Sequence, residues 1–198
     1  MKTYHASRRP CACGCGQSAV EGSDHCWASE PDQKALRERL VARATEEGLE
    51  GANLEGVNFS GADLSGARLS GANLRRANLG AVELIRADLR ECRFDEAEMT
   101  TTDLTRANAE LANFGGARLI QAKFDKANLS QANLVGADAH AATFRGANLF
   151  YARPGAADLR GANFTNANIT RTIFRAANLK GACFEGAQGD AIYDRAIR

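Results

Sequence analysis

Aromatic residues are scarce in this chain, at 7% of 198 positions, and only one Trp and three Pro occur. Charge of either sign is not in excess: Lys plus Arg number 25 and Asp plus Glu 24. That balance disfavours both a strongly basic nucleic-acid binder and a strongly acidic mimic of nucleic acid. No apolar run approaches the ~20 residues of a membrane span. The opening stretch, residues 1–10 (MKTYHASRRP), is polar and basic with no apolar segment behind it, so no secretory leader is expected and the cytosol is the expected compartment. Catalytic material is equally thin. The three His are His5, His25 and His140, none with an evident nucleophile beside it, and no glycine-rich phosphate loop opens a helix. An enzyme is not expected.

A period of five fills most of the chain. Counting from Leu54 gives Leu54, Phe59, Leu64, Leu69, Leu74 and onward to Phe174, Leu179 and Phe184 without insertion or deletion. Of the 28 such centres between 54 and 189, 14 are Leu and 8 are Phe. Two residues earlier, 23 of 28 are Ala; one residue earlier, 17 of 28 are Asn or Asp. Five fits neither the 3.6 period of a helix nor the 2.0 of a strand. Each repeat must therefore be a short extended side followed by a corner, with one large and one small side chain turned inward. Asn and Asp are expected to serve the corners, where their side chains bond nearby backbone. The frequent Gly two places after the centre is expected to relieve crowding.

The segments ANLEG, ADLSG, ANLRR, ADLRE, ANLSQ and ANLVG resemble the pentapeptide-repeat family over roughly residues 49–189. The resemblance implies an all-β fold: a right-handed quadrilateral β-helix of four repeats per turn. The 28 repeats then make about seven coils, stacked ~4.8 Å apart by strand spacing. At a spacing of 20, Phe124, Phe144, Phe164 and Phe184 fall in one interior column. Pro154 cannot donate to a ladder and Ala109 and Ala139 underfill their sites, so irregularity is expected at all three.

Both ends of such a solenoid need covers. Residues 29–48 (SEPDQKALRERLVARATEEG) read as a capping helix, with Ser29 as its cap, Gly48 as its stop and Leu36, Leu40, Val41 and Ala44 as its apolar stripe. Residues 190–198 (DAIYDRAIR) place Ile192, Tyr193, Ala196 and Ile197 at helical spacing, for a cap or a homodimer contact. Ile192 and Ile197 also keep the five-residue phase, so one further half-coil fits.

Residues 1–28 form a Cys-rich head. Cys11, Cys13, Cys15 and Cys26 fall within sixteen positions, and four thiolates can saturate a tetrahedral zinc site. Unliganded thiols and disulfides are the alternatives. The head resembles short Cys-rich segments that read C…GSxxCWxH, but Ser29 stands where their His would be. Cys13, His5 and His25 are therefore all candidates for the fourth ligand. Such a zinc would be structural, and the head is expected to have a core separate from the rod's. Cys92 falls at a small interior position and Cys183 at a corner.

The summed outward charges of the four sides are close to neutral. Some members of the resembled family imitate duplex DNA and bind DNA gyrase, which implies a type II topoisomerase as the most specific candidate partner, with protection against gyrase poisons. A generic interaction scaffold, docked to a protein or nucleic-acid partner through its zinc-stapled head, is the alternative. Phe150 and Tyr151, adjacent and outward, are candidate partner-binding residues together with Ile192 and Ile197, because exposed aromatics are common interface hot spots. Leu111 lies two coils away on the same face.

Overall fold

The computed structural model describes residues 9–197. From Leu49 onward one backbone unit recurs: a bridge residue between two buried ones, then a two-residue turn. Each bridge residue pairs in parallel with the one a coil later, as in Asn53 with Asn73, Asn58 with Asn78, Asp63 with Glu83 and Arg68 with Asp88. Steps of 20 in units of five give four sides per coil, here named after their first centres: the Leu54, Phe59, Leu64 and Leu69 sides. No side is long enough for a continuous strand, so the ladder runs across coils instead of along the chain. Leu54 N–H donates to Asn73 O at 2.8 Å and Asn73 N–H returns to Ala52 O at 2.9 Å.

The interior is filled as the period requires. Phe124, Phe144, Phe164 and Phe184 stack face to face with centroids 4.8–5.0 Å apart, and Phe94 stacks on Phe114 at 4.9 Å. Three small inward positions hold a polar side chain, and all three solve its burial identically. Cys92 Sγ, Thr102 Oγ1 and Thr172 Oγ1 donate to the carbonyls of Leu69, Leu79 and Leu149, at 2.9, 2.7 and 2.8 Å. Burial pushes the Cys92 thiol up to about 12, so it stays protonated.

Several expectations need correcting. Asn and Asp occupy the bridge, not the corner, but they reach the corner: Asn113 Oδ1 accepts the Gly115 N–H at 3.0 Å. Their amides also form ladders, Asn133 to Asn113 at 2.7 Å and Asn168 to Asn148 at 2.9 Å. Cys183 likewise stands in the bridge row, opposite Asn163. Gly at the corner answers a conformation and not a crowd. A Cβ added at Gly61, Gly66 or Gly136 meets nothing within 4 Å, yet all three have φ near +70°, and side-chain-bearing residues such as Arg76 and Tyr151 share this left-handed region, both at 55°. Pro154 removes one rung only: the Asn133–Arg153 bridge forms, and Ile173 N–H still reaches Ala152 O at 2.9 Å. At Ala109 and Ala139 the ladder is unbroken, each N–H donating at 2.8 Å to the next coil.

The N-terminal end is closed by helix α1, Gln33–Glu46, whose cap is Asp32. Asp32 Oδ1 accepts Ala35 N–H at 2.9 Å, displacing Ser29 from the expected role. Leu36, Leu40 and Ala44 are buried against the first coil. The head is not separate from the rod: Val20 belongs to the same continuous core, and Trp27 packs on it. Glu21 N–H donates to Asn53 O at 2.7 Å, and Asn53 Nδ2 to Ala19 O at 2.6 Å, covering the free edge.

At the C-terminal end the half-coil forms, but the phase slips by one. Asn168 bridges Gln188, whereas Ile173 bridges Ile192 and Asn178 bridges Ile197, one residue short. The shortening falls at Gly189, with φ +100°, where a Cβ would lie 2.6 Å from the Thr170 Cα. No helix forms there. Ala191 and Ala196 take small inward sites, and Tyr193 takes the large one, stacking on Phe174 at 5.4 Å. Among the described residues no helix is long and apolar enough to cross a membrane.

Candidate metal centre and docking surface

Two tight turns gather the four cysteines. Pro10 and Ser18 form an antiparallel bridge, and the chain between them turns back through Gly14 and Gly16, both in left-handed backbone with φ 72° and 77°. This hairpin carries Cys11, Cys13 and Cys15. A second turn, closed by Val20 N–H to His25 O at 2.8 Å, returns Cys26 to the hairpin. All four Sγ atoms lie within 4.8 Å of one another. Cys11 and Cys13 are 2.9 Å apart, Cys15 and Cys26 3.6 Å. The edge of a tetrahedron with ~2.3 Å Zn–S bonds is about 3.8 Å, so a metal fits this set with small adjustments. The donor set is closed: four sulfurs leave a tetrahedral ion no position for a substrate.

Surrounding groups favour negative charge on two of the sulfurs. Cys26 N–H and Cys13 N–H point to Cys11 Sγ at 3.1 and 3.4 Å. Ser29 Oγ, delivered by the 3-10 turn Trp27–Ser29, lies 3.2 Å from both Cys11 Sγ and Cys26 Sγ. The Cys13 thiol first, then the Ser29 hydroxyl, hold Cys11 down at about 5. Cys26 is also lowered, chiefly by Ser29. Cys15 is pushed up to about 12 by its contact with Cys13. A divalent cation would displace the protons that the four thiols still hold. Ser29 supports the sulfurs where a His ligand was missed. His25 is outside the four-residue group, and His5 lies outside the described residues.

The proposed partner-binding residues are brought only partly together. Phe150 and Tyr151 stand on the corner between the Leu69 and Leu54 sides, their rings edge to face at 4.6 Å, with Tyr151 48% exposed. Leu111 is exposed in the same corner column, two coils earlier. Ile192, 43% exposed, joins the outward row of the adjoining Leu54 side, beyond Ile173. Ile197 belongs to the next side round, opposite Asn178. The slip at Gly189 turned both Ile outward, which the five-residue phase could not reveal. Sequence reading also missed a recess of about 370 Å³ at the C-terminal end, lined by Leu179, Phe184 and Tyr193.

The profile of the family described as Pentapeptide repeats matches residues 49–80, 83–119, 112–149 and 156–188, in eight copies. Among solved structures, the chain is similar to HetL, a pentapeptide repeat protein involved in heterocyst differentiation regulation from the cyanobacterium Nostoc sp. The two are 25% identical, over 82% of this chain and 92% of that one, with a TM-score of 0.33. A pentapeptide repeat protein of the Arabidopsis thaliana thylakoid lumen is 38% identical, over 42% of this chain and 56% of that one, TM-score 0.36. QnrB1, a plasmid-mediated fluoroquinolone resistance protein, is 23% identical, over 68% of this chain and 80% of that one, TM-score 0.34. No curated protein matches.

Proposed function

This chain belongs to the pentapeptide-repeat family, and we propose that it is a non-catalytic binding protein whose rod presents a docking surface for a protein partner. The observation that carries this reading is the edge-to-face Phe150–Tyr151 pair, held outward on a corner. Neither ring is needed to fill the core. Aromatic pairs that stay out of a core, on a polar surface, have the character of interface anchors. The most specific candidate partner is DNA gyrase or a related type II topoisomerase, a reading supplied by the family resemblance. A generic scaffold for another protein is the second reading, favoured by the ion pairs that leave the surface near neutral, such as Arg76–Glu96 and Arg118–Glu98.

The Cys11, Cys13, Cys15 and Cys26 set would hold one structural zinc, whose chemistry is to tie the two turns of the head together. That staple keeps the Ala19–Glu21 stretch on the first coil. The C-terminal recess offers a contact for a second copy of the chain, its apolar lining shared across a homodimer.

Supercoiling by purified gyrase, with and without a poison, tests the partner. The topoisomerase reading expects inhibition or relief of the poison, with little dependence on salt because long-range steering is weak. Tyr151→Ala should weaken the effect by roughly 1–2 kcal/mol. An enzyme indifferent to excess protein rejects the topoisomerase and leaves the generic scaffold.

A further inference from the structure

The corner between the Leu64 and Leu69 sides carries an arrangement that folding alone opposes. Its left-handed positions in three successive coils are Arg86, Arg106 and Lys126, with φ 58°, 61° and 59°. Adjacent coils are one strand spacing apart, so the three cations stand in file at intervals of ~4.8 Å. Like charges facing each other across a ladder repel, and left-handed backbone is unfavourable for any residue with a Cβ. Glycine holds the same position at both ends of the file, as Gly66 and Gly146. On the corner between the Leu54 and Phe59 sides the equivalent column relieves itself, because Arg76 meets Glu96 one coil on at 2.9 Å. Among the described residues Arg86, Arg106 and Lys126 form no ion pair, although Lys123 on the adjoining Leu64 side pairs with Asp103 at 3.3 Å.

The three cations line one groove of about 640 Å³, with Ile85, Thr105 and Asp125 between them. The width of the positive strip decides what fits it. The neighbouring outward row on the Leu64 side carries Asp63, Glu83 and Asp103, and the row on the Leu69 side carries Asp88. A nucleic-acid duplex, broad and charged on both strands, would press phosphates onto these carboxylates. Single-stranded nucleic acid would find no aromatic platform in the groove for its bases. A thin chain with a negative charge on every unit can lie between these acidic rows and needs no aromatic platform, and Asp125 is the one carboxylate it meets inside the groove.

We propose that this groove binds linear inorganic polyphosphate, with the two guanidinium forks and the Lys126 ammonium each meeting phosphate oxygens along the chain. The site is independent of the Phe150–Tyr151 surface, which lies on a different corner, so either reading can fail alone.

Isothermal titration of the full chain at low salt tests it, using short linear polyphosphate, orthophosphate, a DNA duplex and a single-stranded RNA as probes. Polyphosphate should bind, with log K falling against log salt at a slope of about −2, as expected for three neutralised phosphates on a single strand. Arg106→Gly should weaken binding about tenfold, and joint replacement of Arg86, Arg106 and Lys126 by Gly should abolish it. Gly already serves this position in adjoining coils, so the variants should melt no lower than the native chain, and a melting curve checks that. Absence of polyphosphate binding, binding unchanged in the triple variant, or tighter binding of orthophosphate, duplex or RNA would each overturn the assignment.

Discussion

At the N-terminal end of the rod, helix α1 and the head stretch Ala19–Glu21 cover the first coil, satisfying its edge and burying Leu36, Leu40 and Val20 to 1% exposure. At the C-terminal end, a half-coil shortened by one residue covers the last coil, and Phe184 and Tyr193 remain only partly buried. Interior coils need neither device, since each exchanges ladder bonds with both neighbours. The contrast teaches that a solenoid's stability is a matter of its ends. One end is fastened by a dedicated helix and a metal-binding head, and the other leaves an apolar recess open. Unfolding should therefore begin at the C-terminal end.

The sharpest way to break this comparison is to place a charge under each cover. Leu40→Asp buries an unpaired carboxylate beneath α1 and should cost about 4–5 kcal/mol in denaturant unfolding. Leu179→Asp should cost less than half of that, because the loosely held half-coil can move aside and admit water. Equal costs would mean that the two ends are fastened alike.

Metal removal comes next. Purified chain should carry about one zinc, lost in the Cys11→Ser/Cys26→Ser variant. With zinc held at hundreds of times its dissociation constant, stripping it should remove about 3–4 kcal/mol of stability. Because Val20 shares the rod's core, the loss should reach the first coil, raising amide exchange at Asn73 and Arg68 while Phe164 stays protected. Exchange altered only before residue 28 would restore an independent head.

A pair of glycines tests the ends at equal backbone geometry. Gly48 and Gly189 have φ of 94° and 100°. A Cβ at Gly48 first meets the flexible Glu50 carboxylate, whereas one at Gly189 meets the Thr170 backbone. Gly48→Ala should therefore cost about 1 kcal/mol and Gly189→Ala roughly 2–3 kcal/mol, the latter freeing Tyr193 to solvent. Tyr fluorescence and melting curves read both.

These examples also mark where sequence was legible. The centres and small positions were, since a residue's inward or outward direction repeats every five places and Leu or Ala declares it. The four cysteines were, because ligand chemistry is local. What was not legible depended on which residues meet across coils. Asp32 caps the helix while Ser29 lies against the sulfurs, and no spacing announces that. The slip at Gly189 shows only against Thr170. The Arg86, Arg106 and Lys126 file could have been read at a spacing of 20 along the corner, but summing charge over whole sides averaged it away.

The smallest expected effect concerns acid. Asp88 and Asp158 have matching partners, Arg90 and Arg160, each with a closest approach of 2.6 Å, one pair nearer each end. The Arg side-chain hydrogen bonds, opposed by some desolvation, hold both carboxyls below their ordinary value. A carboxyl lowered in the folded state stabilises fully above its unfolded pKa of about 3.9 and loses that contribution as pH falls through the folded value. Both pairs lie at the surface, so each should contribute only a few tenths of a kcal/mol. Acidification below about pH 4 should then weaken the two halves equally. Hydrogen exchange along the rod should keep its gradient, with the C-terminal coils opening first at every pH and Asp88→Asn or Asp158→Asn shifting the midpoint only slightly. A gradient that reverses in acid would show that surface pairs, and not the covers at the two ends, decide where the rod opens.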